Sequence, residues 1–235
     1  MRGQVKPIST ARYRIAPVVA LFAAALTTPD AAVCKPKAPA QQSIGAVTAG
    51  RLVNGTKMRN SRIIKLRFPR NAWGTRRLVN LIDACVRHVR KKHNGAHRLV
   101  VGDLSKEKGG RFRPHAGHQN GREADIGFFM RKGRPLPGLW RVGNKDLDLR
   151  RNLTFVDCLL RTGDVRRIFL DRGLQAGLYR VAKQRGWTKA RLQRTFSYPR
   201  KKRARVGIIQ HRRGHDNHMH VRIRCAKHEK RCRHL

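Results

Sequence analysis

The sequence predicts an α+β domain in which helices pack around a small, largely antiparallel β-sheet. Three observations support this fold class. Helical apolar stripes and short apolar runs occur in mixed order along the chain, residues 221–225 alternate apolar and charged side chains as a strand does, and 40% of the 235 residues are hydrophobic. A chain of this length and composition can bury one sizeable core, so we expect a single folded domain.

The clearest predicted element is a helix over residues 75–93, which ends at an Asn-Gly stop signal. Its apolar residues recur at helical spacing and form one stripe: Leu78, Leu81, Ile82, Cys85, Val86 and Val89. A second helix is predicted from a cap at Asn152 through residue 161, and a third over residues 174–184, ended by Gly186.

Strands are predicted from short apolar runs bounded by turn residues, at 98–102, 125–130, 166–170, 206–211 and 218–225. Residues 105–124 contain Pro114, Gly117 and Gly121, which disfavour a helix and predict a long loop. The stretch before residue 73 carries short apolar runs and turn signals, and its pattern assigns no element.

The N-terminus has the pattern of an export signal. Lys6, Arg12 and Arg14 precede an uncharged run, 15–29, which is short for a membrane span and typical of a signal-peptide core. We therefore expect a periplasmic or secreted protein whose mature chain has no transmembrane span. The expected segments are a signal peptide over 1–32, a Pro/Ala/Lys/Gln-rich linker or tail over 33–43, and the folded domain over 44–235.

Cysteine usage agrees with export, because an oxidising compartment allows disulfides. Cys225 and Cys232 are close enough in sequence to close a short loop after the last predicted strand. Cys85 and Cys158 both fall in predicted helices and can bridge them. Free buried cysteines are the alternative interpretation.

The chain is strongly basic, with 55 Lys and Arg against 13 Asp and Glu and a net charge of +42. Such a protein adheres to polyanions. The basic residues are spread along the whole length, and the sequence has no zinc-finger, RNA-recognition or coiled-coil signature. We therefore expect no specific nucleic-acid partner. Anionic envelope polymers fit a diffuse positive field equally well, and adaptation to an unusual environment is a further explanation.

Four histidines lie close together near the C-terminus: His211, His215, His218 and His220. On an extended chain, residues two apart point to the same face, so His218 and His220 would present two imidazoles to one site. Paired imidazoles with a third nearby favour a metal or acid–base site over isolated surface histidines.

A second cluster supplies His118 and Asp125, in a loop that we expect to bend at Gly121 and enter a strand. Together with one histidine of the C-terminal pair, these residues would offer two nitrogens and one carboxylate oxygen. Three protein ligands with one open position are typical of a catalytic zinc site, whereas a structural site fills all four positions and often uses cysteine. No cysteine lies within either cluster.

These residues carry a resemblance to a known family. The motifs are Gly109-Gly-Arg-Phe112, His118-x-x-Gly-x-x-x-Asp125 and His215-x-x-His-x-His-Val-Arg-x-Arg-Cys225. They resemble the penicillin-insensitive murein endopeptidases, which belong to the wider group of lysostaphin-like and D-Ala-D-Ala-cleaving zinc peptidases. The resemblance spans about residues 41–232. It implies one Zn²⁺ per chain, bound on the sheet by His118, Asp125 and His220, and catalytic roles for His215 and His218.

The resemblance also implies a function, which is hydrolysis of peptide cross-links in peptidoglycan by a D-alanyl–diaminopimelyl endopeptidase. The motif region lacks the Glu of a His-Glu-x-x-His helix, so a histidine must serve as the base. His218 is the first choice because it shares a strand face with His220, and His215 would assist. The alternatives are a D-Ala-D-Ala carboxypeptidase or dipeptidase of the same group, and a non-catalytic basic protein that binds cell wall or nucleic acid.

Other residues of the two clusters have weaker assignments. Arg111 and His115 are candidate substrate-binding residues, although His115 also suits a supporting role behind the ligands. His211 is expected to support the edge of a strand. Ser105-x-x-Lys108 matches penicillin-binding serine enzymes, but two glycines follow it where that chemistry needs a helix, and the companion motifs are missing from the sequence.

Overall fold

The computed structural model describes residues 40–131 and 138–234. The signal peptide expected over 1–32 lies outside them. The strands are β1 Gln42–Ala46, β2 Ala49–Val53, β3 Thr56–Lys57, β4 Ile64–Leu66, β5 Trp73–Gly74, β6 Leu99–Val101, β7 Glu123–Ile126, β8 Val165–Phe169, β9 Ile209–Gln210 and β10 Met219–Ile223. The helices are α1 Arg76–Lys92, α2 Leu149–Arg161, α3 Arg172–Gln184 and α4 Lys189–Thr195, with a short 3₁₀ helix at Pro69–Asn71.

The main sheet has six strands in the order β4-β6-β7-β10-β8-β9. The three central pairings are antiparallel, and the two outer pairings, β4 with β6 and β8 with β9, are parallel. The predicted α+β class with a largely antiparallel sheet is therefore confirmed. The two strands that carry the predicted ligands, β7 and β10, are neighbours in the middle of this sheet.

The helices pack against one another and against the sheet through their apolar stripes. All six stripe residues predicted for α1 are buried. Thr75 caps this helix by accepting a hydrogen bond from the Leu78 amide. A disulfide between Cys85 and Cys158 joins α1 to α2, as the sequence suggested. Within the described ranges, no helix is long and apolar enough to cross a membrane.

The predicted start of α2 was wrong. Asp148 is the cap, and its side chain accepts from the Arg151 amide. Asn152 lies inside the helix, fully buried, where its amide group accepts from the Phe129 amide and donates to the Phe129 carbonyl. A buried Asn needs such partners, and here a loop backbone supplies them.

The same contact explains why the strand predicted over 125–130 is shorter. β7 begins two residues earlier, at Glu123, and ends at Ile126. Beyond that point the Asn152 side chain takes the backbone groups of Phe129 that a neighbouring strand would otherwise bind. Phe128 and Phe129 instead turn into the core.

Two further differences lie near the last helices. The strand predicted over 206–211 is reduced to β9, because Gly207 has a φ of 78° and packs against the backbone of Phe196. The short helix α4 was missed, although Thr188 is a recognisable cap and accepts from the Arg191 amide.

The N-terminal hairpin of β1 and β2 is joined to the C-terminal segment. β1 begins at Gln42, within the segment expected to be a linker or tail. Gly45 exchanges backbone hydrogen bonds with Arg231 and Arg233. The second expected disulfide, Cys225–Cys232, closes the loop that makes this contact.

Candidate metal centre

The centre forms where β7 and β10 pair, because His220 and Asp125 are direct cross-strand partners. The Nδ1 atom of His220 lies 2.9 Å from Oδ1 of Asp125. His118, from the loop before β7, places Nε2 3.3 Å from the same oxygen. All three residues are buried. The residues predicted from two separate motifs are thus brought together.

His118 is held with one ring nitrogen free. Its Nδ1 lies 2.7 Å from the Leu104 carbonyl oxygen, which can only accept, so Nδ1 carries the proton. Its Nε2 is buried and has no hydrogen-bond partner among the described residues. A buried nitrogen with an unused lone pair is what a metal ligand presents. The backbone of His118 has a φ of 63°, a costly conformation for a non-glycine residue that is often found at functional sites.

Glu123 is part of the centre and was missed by the sequence prediction. Its fully buried carboxylate accepts from Nε2 of His220 at 2.9 Å, from Nε of Arg222 at 2.6 Å and from the His118 amide at 2.6 Å. A side chain at Gly117 would collide with this carboxylate. The signal was present, since Glu123 precedes Asp125 by two residues and shares its strand face.

The carboxylates make this centre attractive to positive charge. Burial alone raises the pKa of Asp125, but the histidines around it hold that pKa well below its usual value. Burial likewise opposes ionisation of Glu123, yet His220 and its other neighbours lower its pKa. Burial lowers the pKa of His220, and the two carboxylates outweigh this effect and raise it to about 9. Arg222 already balances one of these two buried anions, and a proton on His220 or a bound metal ion would balance the other.

His218 and His215 border the centre. His218 lies just before β10, with Nε2 3.3 Å from Oδ1 of Asp125 and Nδ1 2.5 Å from Oδ1 of Asn217. The ring of His215 is 4.9 Å from that of His218. Burial, followed by the charge of His218, lowers the pKa of His215 to about 4, so His215 is neutral at neutral pH.

The weaker candidates take different places. His115 pairs with Asp103 at 3.0 Å and lies 3.9 Å from Asp125, behind the ligands. Arg111 is exposed at a cavity beside Phe112. The ring of His211 accepts from the Arg172 amide at the start of α3. Ser105 is fully buried and Lys108 is exposed, which removes the serine-enzyme alternative.

The donor set fits a zinc ion. Zinc–nitrogen and zinc–oxygen bonds of about 2.0–2.1 Å in a tetrahedron place neighbouring donor atoms about 3.3 Å apart. The donor atoms around Asp125 are 2.9 and 3.3 Å from it. Among the described residues, three overlapping groups have ligand atoms close enough to share an ion: His215, His218 and His220; His115, His118 and Asp125; and His118, Glu123 and His220. Each of the three expected ligands belongs to at least one group, but no group contains all three.

Comparison with known proteins identifies the family of this chain. The profile of the family described as penicillin-insensitive murein endopeptidase matches residues 43–235, which is most of the chain and includes every residue of the centre. No curated protein matches the chain. The family description specifies a peptidase that acts on murein, the peptidoglycan of the cell wall. By the extent of this match and by its motifs, the chain belongs to the penicillin-insensitive murein endopeptidase family.

Proposed function

We propose that this protein is a zinc-dependent endopeptidase that hydrolyses the D-alanyl–diaminopimelyl cross-links of peptidoglycan. The ligands would be Nε2 of His118, Oδ1 of Asp125 and Nδ1 of His220. One observation carries the proposal: imidazole nitrogens of His118, His218 and His220 converge on one buried carboxylate oxygen, and the nitrogen of His118 has no hydrogen-bond partner among the described residues. Family membership supports the peptidase class and the murein substrate.

Glu123 would complete the centre without binding the metal. A histidine ligand commonly donates its second N–H to a carboxylate, which fixes the ring and strengthens the ligand. The bond between His220 Nε2 and Glu123 has this form, and it leaves Nδ1 of His220 facing Asp125.

His218 is proposed as the general base. When bound, zinc supplies Lewis acidity, which polarises the scissile carbonyl and lowers the pKa of water toward ~7. The Asn217 side chain accepts from Nδ1 of His218, so Nε2 keeps its lone pair and takes the proton of the attacking water. Nδ1 of His215 bonds to the Arg213 carbonyl at 3.1 Å. The proton that His218 takes from the water is the one that the leaving amine needs. His215 is neutral, so it could deliver this proton only after receiving it from His218.

The protein would act in the cell envelope, after removal of residues 1–32 and export of the zinc peptidase domain, 44–235. The positive charge of the chain would favour contact with peptidoglycan and with other anionic envelope polymers.

A digest of purified sacculi tests the proposal. Endopeptidase action should convert cross-linked muropeptide dimers to monomers, a chelator should stop the conversion, and added zinc should restore it. Elemental analysis of the folded protein should find about one zinc per chain. Loss of terminal D-Ala alone would indicate a carboxypeptidase instead, and unchanged muropeptides would indicate a binding protein.

A further inference from the structure

Two basic cavities adjoin the candidate centre. The β8-side cavity has a volume of about 1050 Å³ and is lined by Phe169 and by the cations Arg167, Lys202, Arg203, Arg205, Arg212, Arg213 and Arg222. The β6-side cavity has a volume of about 730 Å³ and is lined by Phe112 and by the cations Arg70, Lys106, Arg111 and Arg113. In the sheet, β6 and β8 lie on opposite sides of the β7–β10 pair. β8 supplies Arg167 and Phe169 to one cavity, and the loop that follows β6 supplies Lys106 and residues 111–113 to the other.

Each cavity reaches the centre through its phenylalanine. The ring of Phe169 is 5.5 Å from that of His220 and 5.8 Å from that of His215. The ring of Phe112 is 5.3 Å from that of His115 and 5.9 Å from that of His118. A substrate that spans the metal ligands would therefore extend into one cavity at each end.

The described lining of both cavities contains no acidic residue. Elsewhere arginines pair with carboxylates: Arg77 pairs with Asp164, and Arg191 pairs with Asp157. In the β8-side cavity Arg222 pairs with Glu123 of the centre, whereas the other lining cations form no ion pair among the described residues. Burial lowers the pKa of Arg167, and the neighbouring guanidinium charges lower it further. A third cavity differs because an acidic residue, Glu107, is among its lining residues.

We propose that these two cavities bind the free carboxylates of the two peptide arms of one cross-link, one arm on each side of the scissile bond. The inference rests on the proposed function and identifies the residues that would select a cross-link over a chain end. A cross-link joins two stem peptides, and both carry free carboxylates. Guanidinium groups bind carboxylates with two parallel hydrogen bonds. A terminal D-Ala on one side of the scissile bond is too small to occupy an entire cavity. Positively charged cavities on both sides of that bond therefore favour a cross-link, which is the endopeptidase substrate.

Equilibrium binding tests the inference without relying on hydrolysis. The full chain is treated with chelator, its fold is checked by circular dichroism, and it is titrated calorimetrically with a soluble cross-linked muropeptide dimer. The same dimer with amidated carboxylates is the matched ligand. Arg203→Gln/Arg205→Gln alters one cavity and Arg70→Gln/Arg111→Gln the other. Arg180→Gln/Arg194→Gln removes the same charge from exposed positions on α3 and α4 that line neither cavity.

Each cavity variant should weaken binding of the carboxylate dimer at least about tenfold, because the loss of a single charge-assisted hydrogen bond already has about this effect and each variant removes two guanidinium groups. Binding of the amidated dimer should change little, and the control variant should bind both ligands as the wild type does. Wild-type affinity in either cavity variant, or an equal loss for both ligands, would overturn the inference. A third result would also overturn it: the cavity variants bind a glycerol-phosphate oligomer more weakly than the wild type but bind the carboxylate dimer equally well. That result would identify a phosphate polymer as the ligand.

The zinc-loaded wild type is incubated with the same dimer in parallel. Binding that depends on the carboxylates without any cleavage would refute the endopeptidase function and leave the cavities as a binding site. Cleavage of the dimer combined with equal affinities for the carboxylate and amidated dimers would support the endopeptidase function and refute the role of the two cavities.

Discussion

Each histidine around Asp125 has one ring nitrogen engaged by a neighbour, and that engagement decides what the other nitrogen can do. Nδ1 of His118 is engaged by a backbone carbonyl, Nε2 of His220 by Glu123 and Nδ1 of His218 by Asn217. The remaining nitrogens all lie within 3.3 Å of one carboxylate oxygen. The proposed ligands, His118 and His220, and the proposed base, His218, therefore lie at similar distances from Asp125. They differ mainly in the group that is hydrogen-bonded to the second nitrogen of each ring.

Replacement of Glu123 by Gln tests the role of that partner. The variant keeps the shape of the side chain but removes the buried charge that orients His220 and balances the cation. We expect metal affinity to fall about 10- to 100-fold, as for other partners behind metal ligands. A competition titration with a chromophoric chelator measures it. Glu107→Gln, at an exposed position, is the control, and equal affinities in the two variants would contradict the assignment.

Replacement of single histidines separates ligand from base. His220→Ala should lose most of the metal because it removes a ligand bond. His218→Ala should keep the metal and lose roughly 10²-fold or more in rate, the scale of general acid–base catalysis. Metal content and dimer cleavage are measured on the same preparations. If His218→Ala loses the metal and His220→Ala retains it, the two roles are exchanged.

At this scale the sequence predicts the residues that follow simple spacing. The two-residue period of a strand predicted the His218 and His220 pair, and both rings reach Asp125 although His218 lies one residue before β10. Glu123 with Asp125 follows from the same period once β7 is started two residues earlier. The free nitrogen of His118 could not be predicted, because it depends on a carbonyl group from a distant part of the loop.

At the scale of elements, the register of β7 against β10 decides whether a centre forms. His220 stands opposite Asp125, and a slip of one residue would turn these side chains to opposite faces. The two disulfides constrain the elements that surround this strand pair. Cys85–Cys158 joins the helices that cover the sheet, and Cys225–Cys232 follows β10 directly.

The two disulfides should contribute unequally to stability. Their sequence separations are 73 and 7 residues, and the loop-entropy relation then gives about 4 kcal/mol for Cys85–Cys158 and about 2–3 kcal/mol for Cys225–Cys232. Urea unfolding of the zinc-saturated double alanine variants measures both values. A larger loss for the 225–232 pair would show that docking of this loop onto β1 matters more than chain entropy.

His97 links β6 to the loop after β7 as a neutral imidazole. Its Nδ1 donates to the Arg98 carbonyl at 2.7 Å, and its Nε2 accepts from the Met130 amide at 2.9 Å. Protonation of Nε2 would break the second bond. Burial lowers the pKa of His97 below 6.5; the charges of Arg151 and Arg90 lower it further, and the Arg98 carbonyl and Asp148 oppose them.

This depressed pKa predicts a loss of stability in acid. Below pH ~6.5 the unfolded chain binds a proton at this histidine before the folded protein does, so the free energy of unfolding falls as the pH decreases. His97→Gln keeps an acceptor for the amide and should reduce this fall. Urea unfolding at pH 7 and pH 5 measures the difference, with the exposed His228→Gln as control. A pH dependence identical to wild type would exclude a contribution from His97.

Elements whose own sequence carries an apolar pattern and a cap were predicted well. Elements whose ends are set by contacts with residues distant in sequence were not. α1 has its own stripe and cap, so the prediction was accurate to one residue at each end. β9 and the end of β7 depend on Phe196 and Asn152, which are distant in sequence. Local propensity contains no information about such partners.

For the whole molecule, the net charge is +42, and the few carboxylates are concentrated at particular places in the structure. Asp103, Glu123 and Asp125 gather at the candidate centre, whereas the cavities beside it have only basic and uncharged lining. Positive charge thus lines the two cavities beside the centre, and negative charge gathers at the point where a metal ion would bind. Composition alone predicted the field but not this distribution, because the distribution depends on which strands are neighbours.

This distribution predicts different salt sensitivities for binding and for catalysis. Intact sacculi contact many exposed cations at once, and charges on the protein surface are screened within ~8 Å at physiological salt and more closely at higher salt. A soluble dimer engages only the cations of the two cavities, and the proposed base and ligands act at contact distance. Retention on sacculi should therefore fall steeply as salt rises from low to physiological concentration, KM for the dimer should rise less, and kcat should stay nearly constant. Sedimentation of sacculi with bound protein and steady-state cleavage of the dimer, measured in the same salt series, test this. Equal salt dependence of retention and KM would mean that cations outside the cavities contribute nothing to wall binding.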